Sequence, residues 1–221
     1  MSDGDVNPRN GTGPVLVGLG MVGLIALGLL LFAIVELRRG AAQPLPVYGQ
    51  VGEFTLTSQD GHTVSLADLR GHVWVADLIF TRCAGPCLKM TRQMKELQEA
   101  LPANGQARLV TLTTDPDYDT PAVLKAYAQR FGADPARWTF LTGSKAAIAK
   151  LAVDSLKLTA LPKSPEERQS PEDLFVHSTI FVIVDQQGRL RGVFETTGDG
   201  IEPAQVRSQI LAAVRSLERE S

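Results

Sequence analysis

Two apolar runs with an amphipathic segment between them dominate the hydrophobic pattern of the chain. Residues 73–80 are almost continuously apolar and rich in β-forming side chains, which predicts a strand buried on both faces of a sheet. Apolar residues then recur at helical spacing from Met90 to Leu101, and a second apolar run occupies residues 107–113. Because a helix lies between them, the two strands should be parallel neighbours in a βαβ unit.

The remaining pattern predicts a mixed sheet. Alternating residues at 53–66 predict a hairpin, and residues 120–132 predict a capped helix, which a short strand at 138–141 follows. Residues 176–184 and 190–195 predict two antiparallel strands, and Pro203 opens a final amphipathic helix. This order of elements predicts an α/β domain with a thioredoxin-like mixed sheet flanked by helices.

An uncharged, strongly apolar stretch at residues 15–35 precedes this domain. It is long enough to cross a bilayer as a helix, so we expect a retained transmembrane anchor. The expected organisation is a leader at residues 1–14, the anchor, a linker at residues 36–50 and the domain at residues 51–221. A cleaved signal peptide is the alternative, but the apolar run is long for one.

Composition narrows the function classes. The chain has 221 residues, 44% of them apolar, and a formal net charge of −2, which suits one ordinary domain and gives no basic excess for a nucleic-acid partner. Two cysteines are too few for a disulfide framework. Their Cys-x₃-Cys spacing also lacks the second pair of a structural zinc site. A redox pair or a soft-metal site remains.

The two cysteines lie at the junction between the first strand and its helix. Pro86 suits the first helical position, and Gly85 suits the turn before it, so Cys87 should lie in the first helical turn with Cys83 just ahead. A helix N-terminus lowers the pKa of a thiol, so Cys87 should be reactive or metal-ligating. The spacing also lets the two sulfurs form a reversible disulfide in the metal-free protein. Burial as two small hydrophobic side chains is the alternative.

One of the three histidines is a candidate metal ligand. His177 begins a predicted strand beside an apolar run, whereas His62 and His72 fall in turns and should be solvated. Two thiolates and one imidazole suit Cu(I) better than zinc, which normally takes a fourth ligand. An ordinary hydrogen-bonded histidine at a strand edge is the alternative.

Three carboxylates and two thioethers are placed near the predicted site. Asp77 lies inside the first strand, and Asp115 and Asp119 lie on a loop at the same sheet edge. They could support the thiols or accept their protons. The interpretation that we favour is that Asp77 is a charge at the end of a strand, and that Asp115 and Asp119 belong to a loop that caps the next helix. Met90 and Met94 should belong to the core.

Residues 155–174 contain three prolines and a charged run, and they are long for a connector without secondary structure. Either a mobile flap beside the site or a disordered surface insertion would account for them.

Several motifs together resemble the Sco/SenC family over essentially the whole domain. They lie at residues 80–87 (Phe-Thr-x-Cys-x₃-Cys), 115–121, 127–132, 138–143 and 176–188. The resemblance implies a membrane-anchored thioredoxin-like protein that binds a copper ion and helps to assemble the dinuclear copper centre of cytochrome c oxidase. Cys83, Cys87 and His177 fall on the three family positions for copper ligands.

The resemblance also implies partners and a location. The expected partners are the copper-binding subunit of cytochrome c oxidase and a periplasmic copper donor. The expected location is the inner membrane, with a single span and a periplasmic C-terminal domain. Two arginines, Arg38 and Arg39, follow the span, and one, Arg9, precedes it. By the positive-inside rule alone, this count would place the domain in the cytoplasm. We follow the family here, because the margin is a single charge.

Two other functions compete with copper delivery. A thiol-disulfide oxidoreductase that keeps the oxidase cysteines reduced would need Cys83 and Cys87 but not His177. A peroxidase of the same fold would need one acidic cysteine in a peroxide pocket, and the presence of two cysteines in one turn argues against it.

The chain departs from the family pattern at two positions of the cysteine turn. Ala84 and Leu88 stand where the family usually has prolines, which changes the turn without removing a ligand.

Overall fold

The computed structural model describes residues 25–33, 44–83, 85–102, 105–168 and 175–220. The chain forms two compact units, Met1–Gln43 and Pro44–Ser221. In the first unit, residues 25–33 form a helix (α1) with exposed side chains. Within the described residues, no helix has the length and apolarity needed to span a membrane. Most of the anchor expected at residues 15–35 lies outside the described residues, so it stays a prediction.

The described residues of the second unit form ten strands. In chain order they are β1 (Gly49–Gln50), β2 (Thr55–Ser58), β3 (Thr63–Ser65), β4 (Trp74–Ile79), β5 (Arg108–Thr113), β6 (Trp138–Thr142), β7 (Ala160–Pro162), β8 (Phe175–His177), β9 (Ile180–Val184) and β10 (Arg189–Glu195). Eight of them form one sheet in the order β1-β10-β9-β4-β5-β6-β2-β3, and β7 pairs with β8 separately.

The helices of this unit connect the strands and cover the sheet. They are α2 (Leu66–Leu69), α3 (Pro86–Ala100), α4 (Pro121–Arg130), α5 (Lys145–Ala149) and α6 (Pro203–Glu218), with a π-helical segment at Lys150–Ser155 and a 3-10 turn at Pro165–Glu167. The predicted α/β class and the mixed sheet flanked by helices are therefore confirmed.

The central βαβ unit is the one that the hydrophobic pattern predicts. All six residues of β4 are buried, and β5 runs parallel to it from Trp74 opposite Arg108 to Ile79 opposite Thr113. The β2–β3 and β9–β10 pairs are antiparallel, as predicted. A strand buried on both faces needs apolar side chains on both, which explains why the run at residues 73–80 shows no alternation.

The two faces of the sheet carry separate hydrophobic clusters, because successive β4 side chains point to opposite sides. Val75 and Ile79 pack on the face covered by α3, α4 and α6, and Trp74 and Leu78 pack on the face covered by α2 and α5. Met90 and Met94 are fully buried on the first face, so their assignment to the core is confirmed.

The prediction of one continuous strand at residues 176–184 is wrong, because these residues form two strands. β8 pairs with β7 in its own two-stranded sheet, and only β9 joins the main sheet. The segment before β7 is also ordered, with the π-helical segment and a left-handed residue, Lys157, at φ 61°. Part of the region expected to be a flap or an insertion is thus a hairpin arm, and residues 169–174 lie outside the described residues.

A buried ion cluster ties the start of this unit to its end. The Arg191 guanidinium contacts the carboxylates of Asp185 at 2.7 Å and Glu220 at 2.8 Å, and it donates to the Leu45 carbonyl at 2.6 Å. Arg191 and Asp185 are each only 2% exposed. Residues 44–50, which the sequence assigns to the linker, therefore pack along β10.

Candidate metal centre

The cysteine turn begins where β4 ends at the carboxyl edge of the sheet. The Cys83 N–H donates to the Phe80 carbonyl at 3.2 Å, which closes a turn directly after the strand. Gly85 is the N-cap of α3, and Pro86 is its first residue, so Cys87 lies in the first helical turn as predicted. This placement brings both cysteines to the edge where parallel α/β sheets commonly bind ligands.

Both cysteines are buried thiols in mutual contact. Cys83 is 8% exposed and Cys87 is fully buried, and the two are not joined in a disulfide. A side-chain hydrogen bond with Cys83 raises the pKa of Cys87, because it favours the protonated thiol. The predicted disulfide therefore stays a prediction, with its two sulfurs already adjacent.

The expected lowering of the Cys87 pKa is wrong. The hydrogen bond with Cys83 raises the pKa of Cys87 well above its usual range, and burial and unfavourable electrostatic interactions with Cys83 and Asp77 act in the same direction. The helix N-terminus favours the thiolate, but its contribution is smaller than these effects. A metal ion would reverse the preference, because thiols coordinate as thiolates.

Thr91 and Tyr127 lie close to Cys87, and no sequence motif marked either of them as part of the site. The Thr91 hydroxyl donates to the Cys87 carbonyl at 2.9 Å and lies 2.9 Å from the Tyr127 hydroxyl. Burial raises the pKa of Tyr127, so its phenol stays neutral. A hydroxyl residue four positions after Cys87 on the same helical face was the available signal.

The carboxylates fall into two environments. Asp77 is fully buried in the middle of β4, opposite Thr111 of β5, and is not a strand-end charge. Asp119 is also fully buried, and its carboxylate accepts hydrogen bonds from Thr81 and Thr113. The helix-capping role expected for this loop is confirmed at Thr120, whose side chain accepts from the Val123 N–H.

Asp115 contacts the cysteine turn from outside. Its carboxylate lies 2.5 Å from the Arg82 guanidinium, which stacks 4.1 Å from the centroid of the Tyr118 ring. Arg82 directly precedes Cys83 in sequence. The side of the turn that faces solvent is therefore held by residues of the loop after β5.

The backbone of His177 lies at the same end of the sheet as the cysteine turn. β9 runs antiparallel to β4, with Ala76 opposite Val182, so the start of β9 lies at the end of β4. His177 ends β8, three residues before β9 begins, and its backbone pairs with Ala160. Its side chain is outside the described part of the structure.

The other two histidines are in turns, as predicted. His62 is exposed, and the half-buried His72 has its Nδ1 2.9 Å from the Gln106 carbonyl. Across the described residues, no group of three or more His, Cys, Asp and Glu side chains is arranged to hold a metal ion. A site with two thiols and a third ligand from His177 therefore remains a prediction.

Comparison with known proteins places the chain in a family. The SCO1/SenC family model matches residues 44–214, which is most of the chain. The chain belongs to the SCO1/SenC family. Within it, a protein of Bacillus subtilis (strain 168) described as a SCO1 protein homolog is 38% identical over 162 residues, or 71% of this chain and 81% of that protein.

Solved structures of SCO1/SenC proteins share the fold. One of them is BsSco, which is described as having a disulfide switch and as a member of the Sco family of cytochrome c oxidase assembly proteins. It matches with a TM-score of 0.66 and 31% identity, and the match covers 81% of this chain and 100% of BsSco. Bradyrhizobium japonicum ScoI, solved with copper bound, matches with a TM-score of 0.60 and 24% identity, over 74% of this chain and 99% of its own. At that identity the likeness to ScoI shows the fold alone.

Proposed function

We propose that this SCO1/SenC protein is a membrane-anchored copper metallochaperone that binds copper through Cys83, Cys87 and His177. The observation that carries the proposal is the contact between the two buried thiols at the carboxyl edge of the sheet. The backbone of His177 lies at the same edge, where its imidazole could complete the site.

The donor set suits Cu(I). Two thiolates are soft ligands, and a neutral imidazole is a third ligand that copper accepts. Zinc would normally require a fourth protein ligand. The surroundings are apolar, since Phe80, Met90 and Ile79 belong to the same buried cluster as both cysteines. A water-poor pocket favours a low-charge, soft metal ion over a hydrated, hard one.

Family membership supports delivery of the metal to cytochrome c oxidase. Proteins of the Sco family are described as assembly proteins of that enzyme, and ScoI of Bradyrhizobium japonicum is a copper-bound example. We propose the copper-binding subunit of the oxidase as the recipient, and a copper donor outside the cytoplasm as the source. The uncharged residues 15–35 would anchor the protein in the inner membrane, with the domain on the periplasmic side.

A thiol-disulfide oxidoreductase is the second candidate, and one observation favours it. The Cys87 thiol already contacts Cys83, so oxidation to a disulfide requires little movement. BsSco, at 31% identity, is described as having a disulfide switch. Such a protein would keep the cysteines of the oxidase copper site reduced, and it would not need His177.

Metal analysis of the purified full-length chain tests the proposal. Reduced protein loaded with Cu(I) and passed through a desalting column should retain about one copper ion per chain, because both thiols can ionise on binding. Oxidised protein should retain none. The double variant Cys83→Ser, Cys87→Ser is the matched control and should also retain none. Reduced wild-type protein that retains no copper would exclude a metallochaperone and leave the oxidoreductase.

A further inference from the structure

A buried carboxylate connects the cysteine turn to the end of the neighbouring strand. Asp119 is fully buried, and its carboxylate accepts hydrogen bonds from the Thr81 N–H at 3.1 Å and from the hydroxyls of Thr81 and Thr113. Thr113 is the last residue of β5, and Thr81 precedes Cys83 by two residues. One side chain thus joins two loops that are 38 residues apart.

Further hydrogen bonds with Asp115 hold both Thr113 and Asp119 in place. The Thr113 hydroxyl, which donates to Asp119, also accepts from the Asp115 N–H at 3.0 Å. The Asp119 N–H donates to the Asp115 carbonyl at 2.8 Å. Three hydrogen bonds converge on the Asp119 carboxylate, and low dielectric surroundings strengthen each of them. The position of Thr81 is therefore tightly determined.

The chemistry of this position favours a role beyond stability. Burying a carboxylate costs desolvation free energy, which three hydrogen bonds from neutral donors offset only in part. The helix that follows is capped by Thr120 and does not need Asp119. What Asp119 does provide is a defined geometry between the start of the cysteine turn and the sheet.

We infer that Asp119 is a positioning residue for the thiols, which acts through Thr81 to set the position of Cys83 relative to Cys87. The turn from Phe80 to Cys83 is closed by one backbone hydrogen bond, so fixing Thr81 fixes the sulfur two residues later. The copper part of this inference rests on the proposed function. The thiol part does not, because contact between the sulfurs is needed in either function.

Four single variants test the inference in full-length protein. Asp119→Asn removes an acceptor oxygen, and Thr81→Val removes the hydroxyl while keeping the side-chain shape. Thr81→Ser keeps the hydroxyl and is the rescue control. Asp117→Asn is the matched carboxylate control, because Asp117 is exposed on the same loop and pairs with Lys145 at 2.5 Å. Thermal unfolding of each variant, followed by circular dichroism, separates loss of fold from loss of geometry.

The first readout is the affinity for Cu(I), measured against a competing chelator. Asp119→Asn and Thr81→Val should each weaken binding on the order of 10-fold, as is typical when residues that orient metal ligands are changed. Thr81→Ser and Asp117→Asn should bind like wild type. Because Asp119 and Thr81 act through the same bond, the double variant should lose less than the sum of the two single losses.

The second readout needs no copper. Oxidised dithiothreitol oxidises the two thiols, so that one S–S bond forms between Cys83 and Cys87 while two electrons and two protons pass to the reagent. Asp119→Asn and Thr81→Val should lower the equilibrium constant for this reaction, because the sulfurs are held together for less of the time. The two controls should leave it unchanged.

The outcomes separate the inference from the proposed function. A shifted thiol-disulfide equilibrium in Asp119→Asn and Thr81→Val supports the inference even if wild-type protein binds no copper. An unchanged equilibrium in Thr81→Val, with the fold intact, would overturn it even if copper binding is normal. An equal decrease of the equilibrium constant in Asp117→Asn would also overturn the inference, because it would show that the net charge of the loop, and not the bond to Thr81, is responsible. If Asp119→Asn fails to fold, Thr81→Val decides.

Discussion

The side chains of Cys87 and Cys83 share a hydrogen bond inside the protein, although Cys87 lies in the first turn of a helix. This hydrogen bond and burial raise the pKa of Cys87 more than the helix N-terminus lowers it, so the candidate ligand is a neutral thiol at neutral pH. Copper must displace that proton before it can bind. The affinity of the site for copper is therefore expected to depend on pH, and the reactivity of the thiol is low until a metal or an oxidant reaches it.

The first prediction concerns that proton. Between pH 6 and pH 8 the apparent Cu(I) affinity should rise with pH, by about 10-fold per unit for each thiol proton displaced. Competition with a chelator, corrected for the chelator's own protonation, measures this slope. The variant Cys87→Ser is the control and should show a shallower slope. An affinity independent of pH would show that the Cys87 proton is already absent in the metal-free protein.

The second prediction concerns stability at high pH. The pKa of Cys87 is raised in the folded protein above its ordinary value of 9.0. Its contribution to stability is therefore complete below that value and is lost as the unfolded thiol ionises above it. The free energy of unfolding should fall by about 1.4 kcal/mol per pH unit for this group above roughly pH 9. Burial raises the pKa of Tyr127 too, which adds a further decrease at higher pH.

Urea titrations of the reduced protein from pH 7 to pH 11 measure this dependence. The variant Cys87→Ser should lose the part of the decrease that begins near pH 9 and keep the part due to Tyr127. Identical pH profiles for the variant and the wild type would contradict the account of the buried thiol.

The third prediction concerns Arg191. Replacing Arg191 with Ala removes the buried cation that contacts Asp185, leaves that carboxylate with only the partly exposed Arg189, and releases the Leu45 carbonyl. Breaking a buried ion pair from one side costs about 3–5 kcal/mol of unfolding free energy. The control is Arg207→Ala, whose pair with Glu96 is partly exposed and should contribute less than about 1 kcal/mol. Chemical unfolding measures both, and equal losses would contradict the ranking by burial.

The fourth prediction concerns topology. A fusion of alkaline phosphatase after Ser221 should be active in intact bacterial cells, because that enzyme is active only outside the cytoplasm and residues 15–35 are long enough to span the bilayer. Deleting residues 15–35 is the control and should abolish the activity. An inactive phosphatase, together with an active cytoplasmic reporter at the same position, would show that the arginine count around the span sets the orientation.

The hydrophobic pattern was sufficient to predict the central βαβ unit, because β4 and β5 are buried on both faces and their side chains alone carry the signal. It was also sufficient to place Cys87 in the first helical turn. It failed for the strand at residues 176–184, where Ser178 and Thr179 separate β8 from β9 without a glycine or proline to mark the break.

The chemical environment of the site was less predictable than its position. The pKa of Cys87 depends first on its hydrogen bond with Cys83 and then on burial, and burial cannot be judged from the local sequence. The bond between Asp119 and Thr81 spans 38 residues, so only the folded chain brings the two together. The sequence assigned Asp119 to a helix-capping loop, in which the capping residue is its neighbour Thr120.

The central claim is that copper is held by the two thiols and His177. The most direct measurement is the Cu(I) affinity of the variant His177→Ala, made by chelator competition on the reduced full-length protein. The control is His62→Ala, because His62 is an exposed histidine in the turn between β2 and β3. The account predicts a loss of about 10-fold or more for His177→Ala, no loss for His62→Ala, and an unchanged thiol-disulfide equilibrium in both. Wild-type affinity in His177→Ala would contradict the three-ligand site and favour the oxidoreductase.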